Sequence, residues 1–168
     1  MSNFDLAVAV TLRNEGGFFH NPVTGEIVNH GITLKFVRNS GYKPDADESF
    51  IRNLTPDDAT EIYQRHFWDH YHIGLIQDQN LASKAFDLTV NMGPEALKLL
   101  QSAANACGGA CEVDGVLGPH SLAQINALDP VELLTQFKET AARRYREIAS
   151  ARAELSGNLS GWLARLSA

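Results

Sequence analysis

Apolar residues at Phe4, Ala7, Val8 and Leu12 recur at helical spacing, with Ser2 or Asn3 ahead of them as a cap. The pattern predicts a helix from Phe4 to Asn14 that runs into Glu15 and is stopped by Gly16-Gly17. From Phe18 to His30 the helical spacing is lost, and a small hairpin around Thr24-Gly25 is the expected structure. Gly31-Ile32-Thr33 reads as the opening of a second, short helix, capped by Thr33, running through Val37 and ending near Gly41. Pro44 to Asn53 reads as a loop. Thr55-Pro56-Asp57-Asp58 then combines a cap, a proline in the first turn and acids against the helix dipole. The helix it opens is expected to reach about Trp68.

The second half repeats this grammar. Asn80 is placed to cap a helix through Asn91, and Gly93-Pro94 separates it from another over Glu95 to Ala106. Gly118-Pro119 opens a short helix ending near Leu128, Asp129-Pro130 caps a long one through Arg152, and a final helix holds Leu159, Trp162, Leu163 and Leu166. The expected architecture is mainly α, with one small irregular or hairpin lobe and a cleft between lobe and helices.

Composition narrows this picture without redirecting it. A chain of 168 residues, 44% hydrophobic and 20% charged, suits one well-buried domain. No apolar run has membrane-spanning length. The start, Met1-Ser-Asn-Phe-Asp-Leu-Ala-Val, has no basic region before an apolar core and contains Asp5, so it does not read as a signal peptide. From Lys138 to Ala168 there are six Lys or Arg against three Glu; the first 137 residues carry eight basic against 17 acidic groups, a local −9 within the overall −6. Such a surface argues against nucleic acid as partner. Cys107 and Cys111 bracket Gly-Gly-Ala, and either a small disulfide or two free thiols fits that spacing.

Candidate chemistry centres on Glu15. A carboxyl at the end of a helix, followed by two residues without side chains, leaves room for a bulky substrate. Partial shielding from water favours the protonated form that a general acid needs. Two more clusters carry reactive groups. His66 and His70 lie four apart in His66-Phe67-Trp68-Asp69-His70-Tyr71-His72, but the Glu that a zinc hydrolase places beside the first His is missing, so no metal is expected. Asp87 and Asn91 are one helical turn apart and share a face.

The residues Glu15-Gly-Gly-Phe18, Asn21-Pro22, Gly25, Asn29 and Gly31-Ile32-Thr33 resemble the N-terminal half of glycoside hydrolase family 108, the secretion-activator type N-acetylmuramidases. Phe86-Asp87, Val90-Asn91, Gly93, Leu100-Gln101, Val113-Asp114-Gly115, Leu117-Gly118-Pro119 and Gly161-Trp162-Leu163 resemble the peptidoglycan-binding region that usually follows. The resemblance implies a lysozyme-like fold, with residues 1–80 as the muramidase part carrying the catalytic Glu and hairpin. Residues 81–168 would form the helical peptidoglycan-binding part, packed with the first as one compact domain. It implies cleavage of the β-1,4 bond between N-acetylmuramic acid and N-acetylglucosamine, with Glu15 as acid and no cofactor. The implied partner is the peptidoglycan glycan strand, met by a monomer without membrane insertion, with or without an immunity or export partner. Made in the cytoplasm, the protein would act in the periplasm or cell wall, or after export.

The chain departs from the family where a second catalytic group is expected. An Asp commonly stands at the position of Thr24, and a Thr at that of Val28. Two replacements are open. Glu26, two residues on, shares a face with Thr24 in an extended hairpin, or Thr24 itself holds the attacking water. His30 and Asn29 beside Gly31, Asn91 and Asp87 on one helix face, and Trp68 as a sugar-stacking ring are the substrate-binding candidates, each balanced by a capping, solvated or core role. A lone Glu would suit a lytic transglycosylase. A chitosanase, or a catalytically weak wall-binding or secretion-assisting protein, completes the alternatives.

Overall fold

The computed structural model describes residues 1–15, 17–20 and 25–167, apart from the Asn14 side chain. Its elements are α1 (Phe4–Glu15), β1 (Phe19–His20), β2 (Ile27–Asn29), β3 (Ile32–Thr33), α2 (Leu34–Asn39), α3 (Glu48–Arg52), α4 (Pro56–Tyr63), α5 (Gln79–Met92), α6 (Glu95–Ala106), α7 (Pro119–Ala127), α8 (Pro130–Ala151) and α9 (Leu159–Ser167). The fold is mainly α, with a small antiparallel sheet in the order β1-β2-β3. Among the described residues no helix is long and apolar enough to cross a membrane.

Most helix starts follow from their caps. Thr33 accepts from the Phe36 amide, and Thr55 exchanges bonds with Asp58 in a capping box behind Pro56. Asp129 accepts from the Val131 and Glu132 amides. Three expectations are corrected. The cap of α5 is Asp78, two residues before Asn80. Within the predicted loop Pro44 to Asn53, Asp47 caps the short α3. After Tyr63 the helix widens into π-type turns over Gln64–Asp69, which shifts the aromatic side chains relative to an ideal helix.

The sheet also differs in one respect. Phe19 pairs with Val28 and His20 with Ile27, so a hairpin does enclose Thr24-Gly25. Gly31-Ile32-Thr33 does more than open the second helix: Ile32 pairs with Asn29 across the two-residue turn His30-Gly31 before Thr33 caps α2. Both turn residues have positive φ, 49° and 75°, as the tight turn suited to strand twist requires. Ile-Val-Asn and Ile-Thr flanking a pair that ends in Gly was the available signal.

The core is built around α5, whose residues Leu81, Ala82 and Lys84 to Thr89 are buried. Burial around the whole circumference marks a helix enclosed by others. α1 packs on it through Ala7 and Thr11, and α6 and α8 flank it and pack on each other. α9 closes back over α8.

Candidate active site

Glu15 is the last residue of α1, and the β2–β3 turn is folded against it. The approach is so close that a Cβ on Gly31 would lie 2.5 Å from Glu15 Oε2 and 2.6 Å from the Tyr63 hydroxyl. Glycine is therefore required here twice, by φ and by space. Tyr63, buried on α4, donates its hydroxyl to the His30 carbonyl at 2.7 Å and so pins the turn. Burial, reinforced by the nearby Glu15 charge, pushes the Tyr63 phenol far up, which keeps it a neutral donor.

The C-terminal end of a helix carries partial negative charge, so a carboxylate there calls for a cation. Arg165 of α9 supplies it, with Nη2 directly paired to Glu15 Oε1. The same guanidinium places Nε 3.3 Å from Asp87 Oδ1. Asp87 is fully buried on α5 and meets Lys84 Nζ at 3.8 Å and the Thr11 hydroxyl at 3.5 Å. Lys84 Nζ in turn donates to the Arg165 carbonyl at 2.7 Å. Burial alone would lower the Arg165 pKa, but the Asp87 and Glu15 carboxylates outweigh it and raise it. Burial pushes the Lys84 ammonium down, against the pull of Asp87. The result is a chain of alternating charges running Glu15, Arg165, Asp87, Lys84 from the helix end into the core.

A second chain borders the first. Tyr145 of α8 donates to Asn91 Oδ1 at 2.8 Å and stacks on Trp162, with ring centroids 5.2 Å apart. Burial pushes the Tyr145 phenol up to about 12 despite the lowering influence of Arg165. Asn91 itself is exposed, so its amide group stays accessible while its carbonyl is held.

The other sequence candidates separate. His30 sits in the turn with its backbone carbonyl committed to Tyr63. Asn29 faces inward, 5% exposed, and its amide donates to the Ile51 and Leu54 carbonyls at 3.0 and 3.1 Å. That gives it a bracing role between β2 and the end of α3. Trp68 is buried against Phe4 and Phe86, with centroids 5.6 and 5.7 Å away, so the core reading of this ring replaces sugar stacking. Glu26 is exposed and lines a groove of about 360 Å³ with Leu34, Lys35, Arg38 and Glu48. Thr24 lies outside the described residues.

Sequence reading missed Tyr63, Tyr145 and Arg165 as neighbours of Glu15. Only a Trp162–Arg165 spacing of three, one helix face, hinted that the last helix presents a basic group beside an aromatic one. Asp114-Gly115 proves to be a turn ordered from beneath. The buried Gln101 places Nε2 2.8 Å from Asp114 Oδ1 and 3.0 Å from the Val116 carbonyl, and accepts from the Gly115 amide. Cys107 and Cys111 are unbonded, and burial pushes both thiols up.

The model of the family described as Glycosyl hydrolase 108 matches residues 8–93, and that of a Predicted Peptidoglycan domain matches residues 95–167. Among solved structures, the chain is similar to one described as the structure of Brucella abortus SagA. That likeness has 23% identity and a TM-score of 0.79, and covers 98% of this chain and 89% of the other. It shows the fold. Among curated proteins none matches the chain.

Proposed function

Since the chain belongs to the glycosyl hydrolase 108 family, we propose that it cuts the β-1,4 bond between N-acetylmuramic acid and N-acetylglucosamine in peptidoglycan, with Glu15 as general acid. Membership of this family, followed by a peptidoglycan segment, supports a peptidoglycan-related glycosidase acting at the cell wall or periplasm. The observation that carries the finer reading is the Glu15 carboxyl, held at the end of α1 against the glycine of the β2–β3 turn, inside the matched segment. A side chain fixed on both sides delivers its proton from one position, which general acid catalysis rewards.

In this reading protonated Glu15 donates to the leaving glycosidic oxygen, and water attacks the sugar carbon with help from Glu26 or Thr24. Asn91, exposed and joined to Tyr145, and His30, next to the glycine that meets Glu15, would bind the sugar. A second reading, a lytic transglycosylase, is favoured by the placement of Glu26. It lines a groove with Leu34, Lys35, Arg38 and Glu48, and Glu15 is not among the residues lining that groove. In that reading the substrate's own hydroxyl would attack.

Mass spectrometry of fragments released from purified peptidoglycan tests both. Glu15→Gln is expected to keep the fold and to lower release by about 10²–10⁴. Reducing N-acetylmuramic ends from the parent support the hydrolase, and anhydro ends the transglycosylase. Release by Glu15→Gln within tenfold of the parent would sink both.

A further inference from the structure

Glu15 belongs to the first family segment and the cation paired with it, Arg165, to the second. Arg165 is also shared. Its Nη2 serves Glu15 while its Nε serves Asp87, which is buried and braced by Lys84 and Thr11. We propose that Arg165 is a positioning residue, aimed by Asp87, that orients the Glu15 carboxyl and governs how readily it takes up its proton. The last helix of the peptidoglycan segment thereby completes the catalytic end of the hydrolase segment. This rests on Glu15 being the acid, as proposed above.

The titratable and charged groups around Glu15 come from four helices and one turn: Arg165 on α9, Asp87 on α5 with Lys84 behind it, the Tyr63 hydroxyl on α4, Tyr145 on α8, and His30 beside Gly31 in the β2–β3 turn. Tyr63 stays neutral through the working range, so the balance lies between Arg165 and Asp87. A cation in contact favours the charged form of a carboxyl, and a like charge opposes it. Removing Arg165 therefore makes protonation of Glu15 easier. Removing the Asp87 charge does the reverse, because Arg165 is then less neutralised and one like charge near Glu15 is gone.

The two substitutions thus have opposite signs, which a merely structural role does not produce. Arg165→Gln is expected to move the alkaline limb of the pH–activity profile upward, and Asp87→Asn to move it downward. The same directions are expected in a carbon-13 titration of the Glu15 carboxyl, read by difference from Glu15→Gln. That titration needs no substrate. If the parent releases no glycan fragments, the catalytic reading falls while the coupling is still decided. Movement of both variants in one direction, or by less than a few tenths of a unit, overturns the proposal. Should one variant fail to fold, the direction seen in the other decides.

Discussion

Gly31→Ala is the sharpest perturbation the site offers, because one methyl group meets two fixed partners. The new Cβ would stand 2.5 Å from Glu15 Oε2 and 2.6 Å from the Tyr63 hydroxyl, where ordinary contact begins at 3.4 Å. Something must give by nearly an ångström. Tyr63 is 1% exposed and hydrogen-bonded to the same turn, so the carboxyl or the turn itself moves. The left-handed backbone at φ +75° adds about 1–2 kcal/mol for a residue with a Cβ. Overpacking adds about 1–3 kcal/mol. Together these come to about 2–5 kcal/mol, which for a domain of this size lowers Tm by about 4–20 °C. Displacement of an acid by about 1 Å costs roughly 10²-fold in rate. Thermal unfolding by circular dichroism and release of glycan fragments at a temperature where the variant is folded read the two effects separately. A Tm within 2 °C of the parent together with fragment release within threefold would refute the claim that the turn holds Glu15 in place.

Two further outcomes follow from the bracing of the small lobe. Asn29→Ala is expected to leave the Ile51 and Leu54 carbonyls unpaired and to destabilise by about 2–4 kcal/mol, seen as a lower urea midpoint; unchanged stability with weaker glycan binding would instead place Asn29 in the site. Thr55 holds the Asp58 carboxyl below its ordinary 3.8, first through its side-chain hydroxyl and then through its backbone amide. A depressed carboxyl pKa contributes stability above its unfolded value and loses it as pH falls through the folded one. Thr55→Ala should therefore cost more Tm at pH 6 than at pH 3, and an equal loss at both would remove the charge from the explanation.

Local chemistry was legible because its causes lie within a few residues. Thr33, Thr55-Pro56 and Asp129-Pro130 start helices where the sequence predicts them, since a cap acts on amides two or three positions away, and Gly118-Pro119 does so through the proline in the first turn. The same logic misplaced what two nearby signals contested. Asp78 and Asn80 both offer a cap to α5, and Gly31-Ile32-Thr33 suits a helix start as well as the second strand of a hairpin. Asn29 and Trp68 show a further limit. Both are residue types that commonly meet sugars, but Asn29 is bonded to the end of α3 and Trp68 packs against Phe4 and Phe86.

The sequence by itself determined that the chain is mainly helical, that Glu15 closes the first helix beside residues without side chains, and which family pattern it follows. Tertiary structure alone decided what surrounds that carboxyl. Arg165 stands 150 positions away, and of the 14 Lys and Arg residues nothing local distinguishes the one that will meet it. Capping and turn formation are contests among a few adjacent groups. The pairing of Glu15 with Arg165 is instead settled by the packing of α9 on α8 and of α8 on α5, which brings one cation between a partly exposed acid and a buried one.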